Sequence, residues 1–433
     1  MSRTEERRRF RGLWQRLQTM PLNIVSYITG KWAGWWQSEQ LSQHAVALTV
    51  SKEEVKRLKE RTARYAGAGS NNPRLTPEER ELAESIREET KRLNANNVTR
   101  TAAYLRVYER SPELHWAFLA HMVSRNGGWN MTDLKGELVS RLMSASRARS
   151  FFEFLERSNS FIFHDAYPQL RLYELSKERK RAMFHLLPFL GVSAFMRPIW
   201  EQFWLERQPA LLTVGLIVNE QHYIERRIVR SERYKRAVLD TPAFAAQSLL
   251  QLNAVVFPYY RKEGPERPDA GGQEDECRLA GLVIEQFERL RERIEFGKKL
   301  YALLFGVPAV GAGVRAFASS RPHSGSRADY WPHLFAPIRK DPPSAAQAGY
   351  AEKLDGGKLL PGAAPLYSPK LELAWPNVPF ERPEPFDWYV EGTNPFRYFA
   401  TMRPPSSFEM TNEYRFILNK LELAVMAGQM LFE

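Results

Sequence analysis

Residues 96–136 read NNVTRTAAYLRVYERSPELHWAFLAHMVSRNGGWNMTDLKG. Between Glu113 and Val123 the apolar side chains fall almost all round a helix. A helix with no polar face is a buried one. His115 and His121 lie on it, but six residues turn a helix by about 240°, so the two rings point apart and cannot chelate one metal. They read as core histidines. Ser124-Arg-Asn-Gly-Gly-Trp-Asn-Met-Thr-Asp133 follows, dense in directional donors and acceptors. Glycines at 127 and 128 allow a sharp turn or a close backbone approach. Two readings are open. One is a small polar pocket with Arg125 holding an anionic group, beside Asn126, Asn130 and Asp133. The other is a helix end at Gly127 and a fresh N-cap at Thr132.

The surrounding chain is helical by its start signals. Ser51-Lys-Glu-Glu54 and Thr76-Pro-Glu-Glu79 are capping boxes, the second with proline at the first helical position. Ser111-Pro-Glu113 and Thr241-Pro242 repeat the signal, and Ser176 precedes another charged first turn. Apolar spacing of three and four runs through Leu134–Leu155 and Leu279–Leu304. This predicts about ten helices and little or no sheet between residues 51 and 305. After Phe305 the composition changes, with 16 of the 28 prolines between residues 305 and 410. Proline removes a backbone donor and breaks helices. Tyr330, Trp331, Trp375, Trp388 and Tyr398 are too many aromatics for a linker, so the segment is expected to wrap over the helical body. A closing helix is expected from about Asn412. The fold class is therefore mainly α: a basic extension over 1–70, then one large domain over 71–433. That domain comprises a body (71–305), an irregular wrap (306–410) and a closing helix (411–433).

The 433 residues carry 62 Lys and Arg against 50 Asp and Glu, a net charge of +12. Residues 1–70 hold 13 of those cations and 6 of the anions, along with Trp14, Trp32, Trp35 and Trp36. A basic, tryptophan-rich arm suits a protein partner or an anionic membrane surface. Nucleic acid is disfavoured, because only +5 remains on the other 363 residues. The N-terminus starts basic like a signal peptide, but its apolar part is weak, Lys31 interrupts it and no small-residue cleavage site follows. The apolar runs Ala210–Val218, Met183–Met196 and Tyr301–Val314 are too short to span a bilayer. The expected location is cytoplasmic, with peripheral membrane contact open. The single Cys277 follows Glu274, Asp275 and Glu276, which disfavours a thiolate.

No phosphate loop, zinc-binding HExxH, nucleophile elbow or dinucleotide fingerprint occurs, so no cofactor or metal is implied. Three further segments could carry chemistry. Phe161–Pro168 places His164 beside Asp165 and reads as a turn. Ala210–Val218 ends in Asn219-Glu220-Gln221-His222, where Glu220 suits a buried carboxyl with a raised pKa. His222 and Glu225 share a face, but as half a metal site they read better as a helix end paired with Arg226. Arg321–His333 packs His323, Ser324, Arg327 and Asp329 into an irregular stretch, the best complement to a pocket begun by Arg125 and Asn130.

The strings HWAFLAHMVSRNGGWNMTDLKG (115–136), NNVTRTAAYL (96–105) and SGSRADYWPHLF (324–335) resemble an uncharacterised bacterial family catalogued as domain of unknown function 2515. It is seen mainly in endospore-forming bacteria. The resemblance covers roughly residues 80–433 and implies no activity, cofactor or site residue. Two functions are carried forward. One is a non-enzymatic interaction protein using its basic arm. The alternative is a hydrolase or transferase acting on an anionic small molecule among Arg125, Asn126, Asn130, Asp133, His323 and Arg327.

Overall fold

Helices dominate the computed structural model, which describes residues 29–67, 75–241, 253–261, 277–340, 350–390 and 392–432. A helical segment over 29–41 is followed by α1 (Lys52–Gly67), α2 (Pro77–Leu93), α3 (Asn97–Arg110) and α4 (His115–Asp133). Then come α5 (Ala145–Glu178), α6 (Met196–Glu206) and α7 (Pro209–Ile224). A strand pair, β1 (Ala254–Tyr259) and β2 (Arg278–Val283), precedes α8 (Leu290–Gly306), α9 (Pro308–Ser320) and the closing α10 (Thr411–Phe432). Both capping boxes form: Ser51 and Glu54 bond each other's backbone N–H, as do Thr76 and Glu79.

The helix α4 is the axis of the body, packed by α3, α5, α7, α8 and β1. Fourteen of its residues are buried, as its all-round apolar pattern requires. It does not end at Gly127. It runs on to Asp133, so neither the sharp turn nor the N-cap at Thr132 exists. Gly128 serves close packing instead. A Cβ on Gly128 would lie 2.4 Å from Asn97 Oδ1 and 2.5 Å from His323 Nε2.

Five other expectations are corrected. Phe161–Pro168 is not a turn but the middle of the 34-residue α5, and Ser176 lies inside that helix rather than before one. Pro168 forfeits one backbone bond, a cost of about 3 kcal/mol that burial of Phe161, Phe163, Tyr167 and Leu170 around it outweighs. Residues 279–283 are strand, not the start of a helix. Pro258 is tolerated in β1 because that strand pairs on one side only. Gly281 in β2 is required, since a Cβ there would meet Val255 O at 2.2 Å. Ser111 ends α3 as its C-cap rather than starting α4. The wrap also begins later than expected, because Pro308 opens α9. Thr241 ends the described stretch, and Pro242 lies outside it.

Beyond α9 the chain is irregular and lies on the body. Trp331 donates to Cys277 O (2.7 Å), Trp375 to Met131 O (2.8 Å) and Trp388 to Asn219 Oδ1 (2.9 Å). All three indoles are buried. The proposed boundary near residue 70 lies outside the described residues. Up to Gly67 the chain is packed: Leu58 is buried, and Arg57 and Tyr65 bond Glu206 and Glu201 of α6. Among the described residues no single helix is long and apolar enough to cross a membrane.

Candidate functional site

The loop 321–327 lies along α4, so the two segments singled out by sequence do meet. They build a buried polar seam, satisfied around Arg327 but leaving Arg125 Nε and Nη1 and His323 Nδ1 without hydrogen-bond partners. Arg327 is buried and fully used: it bonds Asp133 through Nε and a terminal nitrogen (2.6 Å), Asn130 Oδ1 (3.1 Å) and Tyr330 OH (2.8 Å). The Asp133 charge holds its pKa well above the usual value despite burial. His323 Nε2 sits 2.9 Å from Asn97 Oδ1. The Asn97 amide nitrogen donates to Ser124 O, so its oxygen accepts and His323 carries the proton on Nε2. Burial pushes the His323 pKa down, against the opposing pull of the Asp329 carboxylate 3.6 Å from Nδ1. Asn126 is a clamp, giving its N–H to Ala254 O and accepting from Val256 N–H, both at 3.0 Å. Arg125 is completely buried, with Phe317 (4.5 Å) and Trp129 (5.7 Å) against its guanidinium and one long bond to Pro322 O. Burial lowers its pKa to about 10.

Next to this seam lies a cavity of about 230 Å³. Asn126 and Asn130 line it, whereas Arg125, Asp133, His323 and Arg327 do not. Its walls follow α4 from Trp116 to Asn130, about 21 Å of helix at 1.5 Å per residue. The stretch between is apolar, with Leu119, Val123, Phe154, Phe287 and Leu300 among the lining. At the Trp116 end stands Glu220, anticipated as a buried carboxyl because so apolar a helix precedes it. Trp116 Nε1 donates to one oxygen (3.1 Å) and Gln221 Nε2 to the other (3.2 Å). The Gln221 oxygen is occupied by Arg293 Nε (2.9 Å), which fixes the amide's orientation. Arg293 itself is committed to Glu225. Desolvation raises the Glu220 pKa to about 8, helped by the Asp165 charge. The surface that Glu220 leaves uncovered faces this cavity. Tyr104, also lining it, has a buried hydroxyl with no hydrogen-bond partner.

Behind Glu220, Asp165 is buried and raised to about 7, again by desolvation first. It accepts from Asn219 and Gln169, which in turn accept from Trp388 and Trp200 (both 2.9 Å). The sequence pairs Asp165 with His164 in a turn, because Pro168 makes its surroundings look like one. The helical spacing of Phe161, Asp165 and Gln169 was the available signal. His164 does not face Asp165's carboxyl network; it packs on Phe380 (4.6 Å), and burial lowers its pKa to about 4. Glu225 pairs with Arg230 and Arg293 rather than Arg226, and His222 stacks on Trp388 at 4.1 Å.

A third feature lies on the surface. The 29–41 helix is fastened along one face. Ser38 Oγ accepts from the N–H groups of Phe408 and Glu409 (both 3.0 Å), and a Cβ on Gly34 would stand 2.9 Å from Glu409 O. The opposite face carries Trp32, Trp35 and Trp36, exposed to 70%, 43% and 59%. Trp32 and Trp35 touch edge to face at 6.3 Å. Residues 1–28, with Trp14 and six of the arginines, lie outside the described residues.

The family whose description is "Protein of unknown function (DUF2515)" matches residues 92–421, about three quarters of the chain. The chain belongs to this family. The match takes in α3, α4, the 321–327 loop and the first half of α10, the elements that frame the seam and the cavity. It leaves the tryptophan face outside. The uncharacterized protein YppC of Bacillus subtilis (strain 168) is 40% identical over 250 residues, 58% of this chain and 73% of YppC. No solved structure matches.

Proposed function

We propose that the protein is an interaction module that docks peripherally on an anionic lipid surface through its tryptophan face and basic arm. One observation carries the reading. Three neighbouring indoles stand outward on a helix whose other face is pinned to the body. Together they present on the order of 350–400 Å² of amphipathic ring surface. Tryptophan is the side chain best suited to the headgroup boundary, with an apolar ring and one N–H. The charge is complementary: Arg3, Arg7, Arg8, Arg9, Arg11 and Arg16 precede the helix, and Lys31 is exposed on it. Single signals anchor weakly, whereas an apolar insertion plus a polybasic segment anchor together.

The alternative, catalysis on an anionic small molecule, finds less support. Arg327 is tied to Asp133, and Arg125 does not reach the cavity. Vesicle co-sedimentation of the full chain tests the docking. Binding to phosphatidylglycerol-containing vesicles should exceed binding to phosphatidylcholine at least tenfold in 0.1 M salt and fall steeply by 0.5 M. Trp32→Ser with Trp36→Ser should cut it about tenfold without shifting Tm. Equal binding to both vesicles, or an unaffected double variant, overturns the proposal. So does a double variant whose only effect is on self-association by light scattering.

A further inference from the structure

We propose that the cavity beside α4 is a binding site for a small amine: an extended apolar body whose protonated nitrogen is received by Glu220 and Tyr104. The inference stands apart from the lipid-docking reading and uses a different part of the molecule.

Three observations carry it. The first is space. A cavity of about 150 Å³ holds benzene, so 230 Å³ suits a molecule of roughly nine or ten non-hydrogen atoms. The apolar, aromatic walls suit a hydrocarbon body.

The second is the unfilled hydrogen bonding at one end. Tyr104 OH is buried with no partner, and a buried hydroxyl left unpaired is costly. Glu220 uses its two oxygens only as acceptors, from Trp116 and Gln221. Its remaining capacity opens to the cavity.

The third is the charge census around that end. The groups facing Glu220 are Tyr104 on α3, Trp116 on α4, Asp165 on α5 and Gln221 on its own helix; Arg293 of α8 also lines the cavity but is tied to Gln221 and Glu225, and Arg100 of α3, which acts on Tyr104, is held by Glu156. Two carboxyls meet here, and the nearest guanidinium is neutralised by Glu225. What the end lacks, among the described residues, is a cation paired with Glu220. Aromatic rings, Trp116 and Tyr104 among them, add their negative π faces to the same preference.

The proton balance is explicit. Near pH 7 the carboxyl is protonated in the empty cavity, since burial holds its pKa at about 8. An alkylammonium entering the site displaces that proton to solvent and leaves a carboxylate–ammonium pair. No covalent step is involved.

The probe is n-octylamine, with 1-octanol and octanoate as neutral and anionic counterparts of the same length. Titration calorimetry on the full chain at pH 7 should show octylamine binding at least tenfold tighter than octanol, and no octanoate binding. Two buffers of different ionisation enthalpy should report release of close to one proton per octylamine. Affinity should rise up to tenfold from pH 6 to pH 7 and level off above pH 8. Glu220→Gln should weaken octylamine at least tenfold and leave octanol within threefold, with a melting curve confirming the fold. Ala120→Trp, which fills the lining, should abolish both. Equal affinity for octylamine and octanol, no proton release, or an unaltered octylamine affinity in Glu220→Gln overturns the proposal. An octanol affinity that survives Ala120→Trp overturns the placement in this cavity.

Discussion

The seam around Arg327 and the cavity end around Glu220 lie on opposite stretches of the same helix, and they treat buried charge in opposite ways. At Arg327, a guanidinium meets a carboxylate, an amide and a phenol, and its hydrogen-bonding capacity is consumed. At the cavity, a carboxyl has two donors, no cation and an unpartnered tyrosine beside it. A polar cluster that closes on itself is structure. A polar group left open in an apolar space is where a ligand gains most. The density of polar letters in the sequence points to the first place, and its scarcity marks the second.

The largest expected effect tests whether either region exists without the wrap. A chain ending at Phe305 loses Arg327, Tyr330, Trp331, Trp375 and Trp388, all buried. We expect it to be insoluble or to melt without a cooperative transition, checked by calorimetry. A cooperatively melting 71–305 fragment would show that the seam is a surface addition.

Next in size is Arg327→Met. It strands Asp133 and leaves Asn130 and Tyr330 without their donor. Breaking a buried pair from one side costs about 3–5 kcal/mol, to be read by urea denaturation. Adding Asp133→Leu should recover more than half of the loss, because an apolar pair of similar volume avoids the desolvation penalty. If the double variant is no better than the single one, the seam's value lies in the outer hydrogen bonds.

Glu220→Gln should have an effect that changes sign with pH. The carboxyl's folded pKa, about 8, lies above its ordinary value of 4.5. The stability that goes with its proton is therefore full below about pH 4.5 and is lost as pH rises through about 8. Asp165, raised to about 7, acts in the same direction. An amide cannot accept from both Trp116 and Gln221, so the variant should be about 1 kcal/mol less stable at pH 4, where the carboxyl is protonated in both states. At pH 9 it escapes the ionisation penalty and should be more stable by on the order of 2–3 kcal/mol. Parallel denaturation curves at the two pH values check this. A variant equally destabilised at both would mean that the carboxyl is not held protonated.

Much of the architecture was legible from residue type and spacing. The capping boxes at Ser51 and Thr76, the buried α4, the closing helix and the aromatic wrap follow from rules that local chemistry obeys. The misreadings share a cause. Pro168, Pro258, Pro308 and the Gly127–Gly128 pair are local breakers, yet three of these positions lie inside elements and Pro308 opens one. Burial on all sides outweighs a local penalty of one to three kilocalories, and a single sequence does not display that burial. For the sites, Glu220 was visible because an acid after nine apolar residues is anomalous. Tyr104 and Trp116 looked like ordinary core residues and Asp165 like part of a turn, and only their convergence gives them meaning.

The two glycines sharpen that last point with the smallest expected effects. In the interior of a helix, glycine to alanine should stabilise by about 1 kcal/mol. At Gly127 the new methyl would meet only the Asn159 amide, at 3.3 Å, on a side chain that can shift. Gly127→Ala should therefore be neutral or slightly stabilising. At Gly128 the methyl would lie inside contact distance of both Asn97 and His323, whose hydrogen bond holds the 321–327 loop to the body. Gly128→Ala should cost about 1–3 kcal/mol despite the better helix former. Its companion Gly128→Ala with His323→Ala should be destabilised by less than the sum of the two single changes, because the clash and the lost bond share one cause. If both glycine variants gain stability alike, the glycines are incidental to the seam. If both lose alike, the backbone there needs glycine for conformation, and the continuous α4 on which the comparison of the two ends rests would fail with it.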